Sequence, residues 1–208
     1  MPGPYYAISY TPPPESPLAR FGAGVLGYDG YHGVDIPHTA VGGLGPAILR
    51  LLTVESRRFG FHASFMTPFR LGDYAEDDLL IALGRFAKAH RVVPVGPLAV
   101  AVNGSRVVLQ PVEQPPQLGE LAASCFTAIV PLCAPASADG AANALKAFRF
   151  SMTLAESVTG TELQFVMRGL AAAFAPMAAD HLELDAISLL RGDDKRFQVI
   201  DRRRLTGR

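Results

Sequence analysis

The sequence has few cysteines and no disulfide or zinc pattern. Its 208 residues include only two cysteines, Cys125 and Cys133. Their eight-residue spacing on a predicted helix would hold them about 12 Å apart at roughly 1.5 Å rise per residue, which excludes a disulfide. No histidine cluster accompanies them, so the spacing does not match a zinc site. The sequence therefore predicts no metal and no cofactor.

The chain also has no excess of positive or negative charge, because its 19 basic and 19 acidic residues cancel. A chain without net charge has no global field to attract nucleic acid or an anionic membrane. The basic run at residues 202–204 is too narrow for a nucleic-acid surface and is typical of a solvated segment or a protected strand edge. We expect a small-molecule substrate as the partner, with no nucleic-acid polymer and no membrane, and the oligomeric state stays open.

Long hydrophobic runs and targeting signals are absent from the pattern as well. The uncharged stretch 121–138 is interrupted by Pro131 and Pro135, which favours a buried helix that ends in a loop. The opening MPGPYYAISYTPPP lacks a basic segment followed by an apolar one, so no signal peptide is predicted and a cytoplasmic location is expected. The glycine pattern at residues 22–27 follows prolines instead of a strand, which makes it a weak match to a dinucleotide-binding loop.

With 49% hydrophobic and 18% charged residues, the composition is that of a globular protein. Helical and strand patterns alternate without regular βαβ repeats, which predicts an α+β fold of mainly antiparallel sheet with helices on the outer faces. We expect one domain over residues 1–208, built as two pseudo-symmetric lobes around a central cleft. Strands are predicted at 5–10, 59–71, 92–102, 106–112, 148–155, 184–190 and 196–202, the last two forming a hairpin around Gly192-Asp193-Asp194. Helices are predicted at 16–27, 46–52, 76–90, 118–130 and 161–173, with a loop or lid at 28–46 and a poorly patterned alanine-rich segment before 148.

Two stretches of the sequence share one pattern: FGFHASFMT and, about ninety residues later, FRFSMTLAE. Each reads Phe, any residue, Phe, a polar residue, any residue, a hydroxyl residue and then an apolar residue. Because side chains alternate along a strand, His62 and Ser64 are predicted to share one face, and Ser151 and Thr153 to share one face. The phenylalanines of each stretch would then face the core or its edge.

A histidine beside a hydroxyl on one strand suits a phosphate group. The imidazole accepts or donates a proton, and the hydroxyl donates a hydrogen bond to a phosphate oxygen. Two such strands that face each other would place a general base and a general acid on opposite sides of a phosphodiester. This chemistry requires no metal.

The segments RRFGFHASFMTPFRL and FRFSMTLAESVTG resemble the two signature segments of the 2H phosphoesterase superfamily, named for its paired His-x-Thr/Ser motifs. More closely, the chain resembles the DUF1045 branch, which is often encoded beside phosphonate-utilisation genes. The resemblance extends to YYAISYTPP, SPLARFGAGVLGYD and LELDAISLLRGDDKRFQVIDR. It implies a two-lobed fold with a central cleft, a catalytic role for His62 and substrate contacts from Ser64 and Thr153.

Two departures from the branch affect this interpretation. Ser151 stands where the branch has the second histidine, and Met66 stands where it usually has lysine. A serine does not exchange protons near neutral pH, and loss of one acid or base group costs about 10²- to 10⁴-fold in rate. We expect a metal-independent phosphoesterase-like protein of altered or reduced activity on a small phosphate ester or cyclic phosphodiester.

Other interpretations stay open from the sequence. The cleft could serve a non-hydrolytic isomerisation or cyclisation in natural-product biosynthesis, which Met66 would favour, or it could bind a metabolite without turnover. Tyr6 and Arg58 are further candidates for substrate binding, with Ser151 as a lining residue. The sequence also leaves open whether His32 or His38 enters the cleft in place of the missing imidazole.

Overall fold

A computed structural model describes residues 3–193 and 195–207; within them, the side chains of residues 136, 138–141, 144 and 161 are not described. The strands are β1 (Tyr5–Tyr10), β2 (Tyr28–Asp29), β3 (Val34–Asp35), β4 (Ala63–Phe69), β5 (Val93–Asn103), β6 (Arg106–Pro111), β7 (Met152–Ala155), β8 (His181–Leu184), β9 (Ala186–Gly192) and β10 (Phe197–Arg204). The helices are α1 (Pro17–Leu26), α2 (Pro46–Leu52), α3 (Glu76–Ala89), α4 (Pro116–Ile129), α5 (Pro135–Lys146) and α6 (Gly160–Phe174). Short 3₁₀ turns lie at Ser56–Arg58, Val130–Leu132 and Ala175–Met177.

Eight strands form one antiparallel sheet in the order β10-β9-β1-β4-β7-β6-β5-β8. The strands β2 and β3 pair separately. The predicted α+β class is confirmed, and the two predicted lobes are the two halves of this sheet. They meet where Ala63 of β4 lies opposite Met152 of β7, so the two strands that carry the polar pairs are neighbours.

The hydrophobic core lies between one face of the sheet and the helices. Phe150, Met152 and Leu154 alternate into it and are fully buried, as the period of two predicts. From the helices, Leu83 of α3 and Leu170 of α6 join the same cluster. The opposite face of the central strands is left for polar side chains.

The first helix has the ends that its sequence predicts. The Ser16 hydroxyl accepts a hydrogen bond from the Ala19 amide, and Pro17 occupies the first helical position. Gly27 ends the helix with φ of 70°, a left-handed conformation that favours glycine.

Both motif strands are shorter than predicted. The segment 59–71 becomes a strand only at Ala63, after the 3₁₀ turn at Ser56–Arg58, since Gly60 adopts a left-handed φ of 73° that interrupts an extended chain. The segment 148–155 becomes a strand only at Met152. Before it, the Phe150 amide donates to the side-chain oxygen of Gln114, whose amide nitrogen donates back to the Phe150 carbonyl. A side chain therefore replaces the neighbouring strand there.

Four elements were missed by the sequence patterns. The alanine-rich segment forms α5, because alanine is the best helix former even without an amphipathic pattern. The predicted loop 28–46 contains β2 and β3. His181 begins β8 and pairs with Pro97 at the edge of the sheet. The predicted closing hairpin is confirmed as β9 and β10, and its Asp194 lies outside the described residues.

Candidate functional site

A cavity of about 310 Å³ lies at the junction of the two sheet halves. Both members of both predicted polar pairs line it: His62, Ser64, Ser151 and Thr153. The strand alternation that buries the neighbouring apolar residues in the core turns these four side chains to the cavity. The structure thus brings together in one site the polar side chains that the two similar sequence stretches predict as site residues.

The strand register fixes how these four residues face one another. Because Ala63 lies opposite Met152 in antiparallel strands, His62 lies across from Thr153 and Ser64 lies across from Ser151. A two-fold rotation about the Ala63–Met152 pair exchanges His62 with Ser151.

His62 presents one free ring nitrogen to the cavity. Its Nδ1 lies 2.9 Å from the Gly60 carbonyl oxygen, which accepts only, so Nδ1 carries the proton and Nε2 keeps its lone pair. Burial lowers the pKa of the imidazole below its usual range, although the hydrogen bond to Gly60 opposes this shift. The Phe59 ring packs 5.6 Å from the imidazole and stacks on Phe197 at 4.5 Å between centroids. The lowered pKa favours the neutral imidazole, in which Nε2 is a proton acceptor.

Beyond Ser64, strand β4 does not keep the predicted alternation. Ser9 pairs with Ser64 but Ile8 pairs with Met66, so Phe65 is an extra residue on β4. This irregularity turns Met66 into the core, where it is 2% exposed, and the Thr67 side chain lines the cavity instead. Met66 is not a cleft residue, so it gives no support to non-hydrolytic chemistry in the cleft.

Two arginines that the sequence patterns did not nominate also line the cavity. Arg149 stands two residues before Ser151, on the same side of the chain, and Arg106 begins β6. Neither forms an ion pair with a carboxylate of the described residues. The period of two already marks Arg149 as a cavity residue, because residues 149, 151 and 153 share one face.

A buried carboxylate shapes one end of the cavity. Glu156 follows β7, and its Oε1 accepts hydrogen bonds from the Glu55 amide and, at 3.1 Å, from the Ser56 amide. The Glu55 carboxylate in turn forms an ion pair with Arg58 at 2.7 Å. Glu156 thereby ties the 3₁₀ turn before His62 to the strand that carries Thr153.

Two predicted substrate contacts are not brought to this cavity. Tyr6 lies on the core face of β1, is 4% exposed and donates from its hydroxyl to Glu76. The alternation along β1 points Ala7 to the cavity, and Tyr6 is not among the described residues that line it. Arg58 binds Glu55 and lies against the Phe59 ring, and it is not among the described residues that line the cavity.

The two loop histidines do not replace the missing imidazole. His32 lines a different cavity of about 540 Å³, on the far side of Phe59, and its Nδ1 is 2.7 Å from the Asp29 carboxylate. His38 bonds through Nδ1 to the Val25 carbonyl. Of the described histidines, His62 alone lines the smaller cavity.

Metal-ligand clusters and membrane-spanning helices are both absent from the described part of the chain. No three histidine, cysteine, aspartate or glutamate side chains there lie closely enough together to hold a metal ion. None of the helices in that part is both long and apolar enough to cross a bilayer.

Residues 65–146 and 140–198 match the family described as "Protein of unknown function (DUF1045)". A curated relative, the ribose 1,5-bisphosphate phosphokinase PhnN of Janthinobacterium sp. (strain Marseille), is 26% identical over 212 aligned residues, which cover 89% of this chain and 47% of the relative. The chain therefore spans about half the length of this relative.

Among solved structures, TT0787 of Thermus thermophilus matches with a TM-score of 0.52 and 15% identity over 98% of both chains. LigT of E. coli, solved with 3′-AMP, matches with a TM-score of 0.48 and 12% identity over 98% of both chains. At such identities, the likeness to TT0787 concerns the fold alone.

Proposed function

This chain belongs to the DUF1045 family of the 2H phosphoesterase superfamily, and we propose that it hydrolyses a small cyclic phosphodiester with His62 as its one catalytic imidazole. The observation that carries the proposal is the placement of the His62 Nε2 lone pair in a cavity, across from Thr153. Hydroxyl donors and a neutral imidazole on adjacent strands suit a phosphodiester, whose charge lies on two non-bridging oxygens.

In the proposed reaction, Nε2 of His62 accepts a proton from a water molecule while the water oxygen attacks phosphorus. A P–O bond to the new hydroxyl forms, and the P–O bond to one ester oxygen of the ring breaks on the opposite side. The product is a phosphate monoester with a free alcohol. Thr153 donates a hydrogen bond to a non-bridging oxygen, where negative charge increases in the transition state. The Ser64 hydroxyl donates to the Met66 carbonyl at 3.2 Å, and it turns from that carbonyl to donate to the other non-bridging oxygen.

The leaving oxygen departs from the side on which Ser151 stands. An imidazole there would protonate the alkoxide as it forms, but a serine hydroxyl is too weak an acid to do so near neutral pH. The departing oxygen then takes its proton from solvent. We therefore expect a slow enzyme, reduced by about 10²- to 10⁴-fold relative to a two-histidine site.

The kinase activity named for the relative is not proposed for this chain. Its sequence contains no G-x-x-x-x-G-K-[ST] stretch, the loop whose amides bind nucleotide phosphates in many kinases. The compound in the relative's name, ribose 1,5-bisphosphate, supports a phosphorylated sugar as the substrate class and a role in phosphonate metabolism. We propose that the protein acts there in the cytoplasm, as the sequence predicts.

A metabolite-binding role without turnover is the second candidate, and Ser151 is the observation that favours it. A site with one imidazole still binds a phosphate through its hydroxyls. Turnover separates the two functions, since a binding protein would retain the cyclic phosphodiester unchanged.

The test is to incubate the protein with 2′,3′-cyclic nucleotides and to follow the phosphate monoester by ³¹P NMR. His62→Ala should abolish monoester formation, and His181→Ala, which removes an exposed histidine at the sheet edge, should leave the rate unchanged. EDTA should not lower the rate. Equal rates for the native protein and His62→Ala would overturn the proposal.

A further inference from the structure

The charged groups of the cavity are unevenly distributed along β7. Val107 pairs with Ala155, which places Arg106 beside the end of β7 where Glu156 follows. Arg149 lies before the opposite end, two residues ahead of Ser151. The two arginines therefore lie at opposite ends of the row of cavity side chains on β7.

Carboxylates accompany only one of these arginines. Glu156 and Glu55 line the cavity at the end where Arg106 lies. At the other end, the cavity side chains around Arg149 are hydroxyl residues, including Ser64 and Thr67. No carboxylate of the described residues forms an ion pair with Arg149.

The reacting phosphodiester does not account for Arg149. It carries one negative charge, and His62, Thr153 and Ser64 already surround its position at the centre of the site. A guanidinium at the end of the cavity has the planar donor geometry that phosphate recognition uses. The Thr67 hydroxyl adds a donor on the facing strand.

We propose that Arg149 and Thr67 form a second anion subsite, so that the substrate is a phosphodiester that also carries a separate phosphate group. This inference rests on the proposed function, because it assigns the reacting group to the centre of the cavity. The second phosphate would lie on the Ser151 side, the side from which the ester oxygen departs. The subsite selects substrates by charge and orients the leaving side of the phosphodiester.

The probes are adenosine 2′,3′-cyclic phosphate and the same compound with a 5′-phosphate. Their dissociation constants are measured by calorimetry on His62→Ala, which prevents turnover during the titration. We expect the 5′-phosphorylated compound to bind about 10- to 100-fold more tightly, the range for hydrogen bonds to charged groups. Equal affinities for the two compounds would overturn the subsite.

The ratio of the two dissociation constants is then measured after Arg149→Gln in the His62→Ala background. The ratio should fall to within about twofold of unity, and Arg149→Lys should keep a larger part of it. Arg70→Gln is the matched control, since Arg70 lies over the Tyr5 ring at 4.3 Å outside the cavity, and it should leave the ratio unchanged. If this ratio is unchanged in Arg149→Gln, the second phosphate binds elsewhere and the proposal is contradicted.

Turnover by the native protein separates this inference from the proposed function. If both compounds are hydrolysed at the same kcat/KM, the phosphoesterase stands and the subsite fails. If the 5′-phosphorylated compound binds in an Arg149-dependent manner but stays intact, the subsite stands and the hydrolytic function fails. Preferential hydrolysis that depends on Arg149 supports both.

Discussion

Ala63 lies directly opposite Met152 where the two halves of the sheet meet. Both side chains are buried, and their neighbours in the chain alternate into the cavity. The pair is the centre of an approximate two-fold relation between the two motif strands. Under this relation, Ser151 occupies the position that corresponds to His62.

Ser151→His should raise the rate of cyclic phosphodiester hydrolysis by about 10²- to 10⁴-fold, because it restores a proton donor for the leaving oxygen. The rate constant kcat for a 2′,3′-cyclic nucleotide measures this gain. Ser151→Ala is the control, since it changes the same site without adding an imidazole, and it should show no gain. A folded Ser151→His protein with the native rate would contradict the assignment of Ser151 to the leaving side.

The pH dependence should identify His62 as a base. Since burial lowers the pKa of His62 below its usual value of about 6.5, the imidazole is neutral at pH 7. A base must be deprotonated, so kcat/KM should rise with pH through this lowered pKa and level off by neutral pH. An activity that falls as pH rises through this range would instead assign His62 as the acid.

Thr153→Val should lower kcat/KM by roughly tenfold or more, because valine keeps the shape and removes a hydrogen bond to a charged phosphate oxygen. Thr153 lies across from His62, where the reacting phosphate is proposed to bind. Thr127→Val on an exposed turn of α4 removes a hydroxyl that donates to the Ala123 carbonyl, and it provides the matched control. An unchanged kcat/KM in Thr153→Val would remove this residue from the site.

A stability prediction concerns the close contact between Gly42 and Gly169 of α6. A Cβ atom added to Gly169 would lie 2.8 Å from the Gly42 carbonyl oxygen, so Gly169→Ala should lower the free energy of unfolding despite the better helix propensity of alanine. In α3, a Cβ atom added to Gly84 would stand in open space, and Gly84→Ala should raise the free energy of unfolding by up to about 1 kcal/mol. Urea unfolding measures both; a Gly169→Ala protein as stable as Gly84→Ala would contradict the contact.

The site was predictable where side-chain alternation holds without interruption. Around the start of β7, the period of two places Ser151 and Thr153 in the cavity and Phe150 in the core. At β4, it fails after Ser64, because a bulge depends on how the partner strand pairs and leaves no mark in the local sequence. Arg149 was overlooked although the same period includes it.

Elements of the fold with a local sequence signal were predictable, and those that depend on pairing with distant residues were not. Helix α1 and the β5–β6 hairpin have strong local signals, namely a capping serine before proline and a glycine at the first position of the Gly104-Ser105 turn. Strand β8 is short, and its position depends on the pairing of His181 with Pro97. Alternation along β1 puts Tyr5 and Tyr6 on opposite faces of the strand, but it does not say which face is buried. The sequence pattern alone therefore could not decide which of the two tyrosines faces the cavity.

The order of strands in the sheet has a consequence for how the protein is assembled during synthesis. The half that carries His62 ends in β9 and β10, whereas the half that carries Ser151 is completed earlier in the chain by β8. When β8 leaves the ribosome, the serine half has all its strands, but β1 still has an unpaired edge. The histidine half thus remains open to aggregation or to chaperone binding until residues 186–204 have emerged.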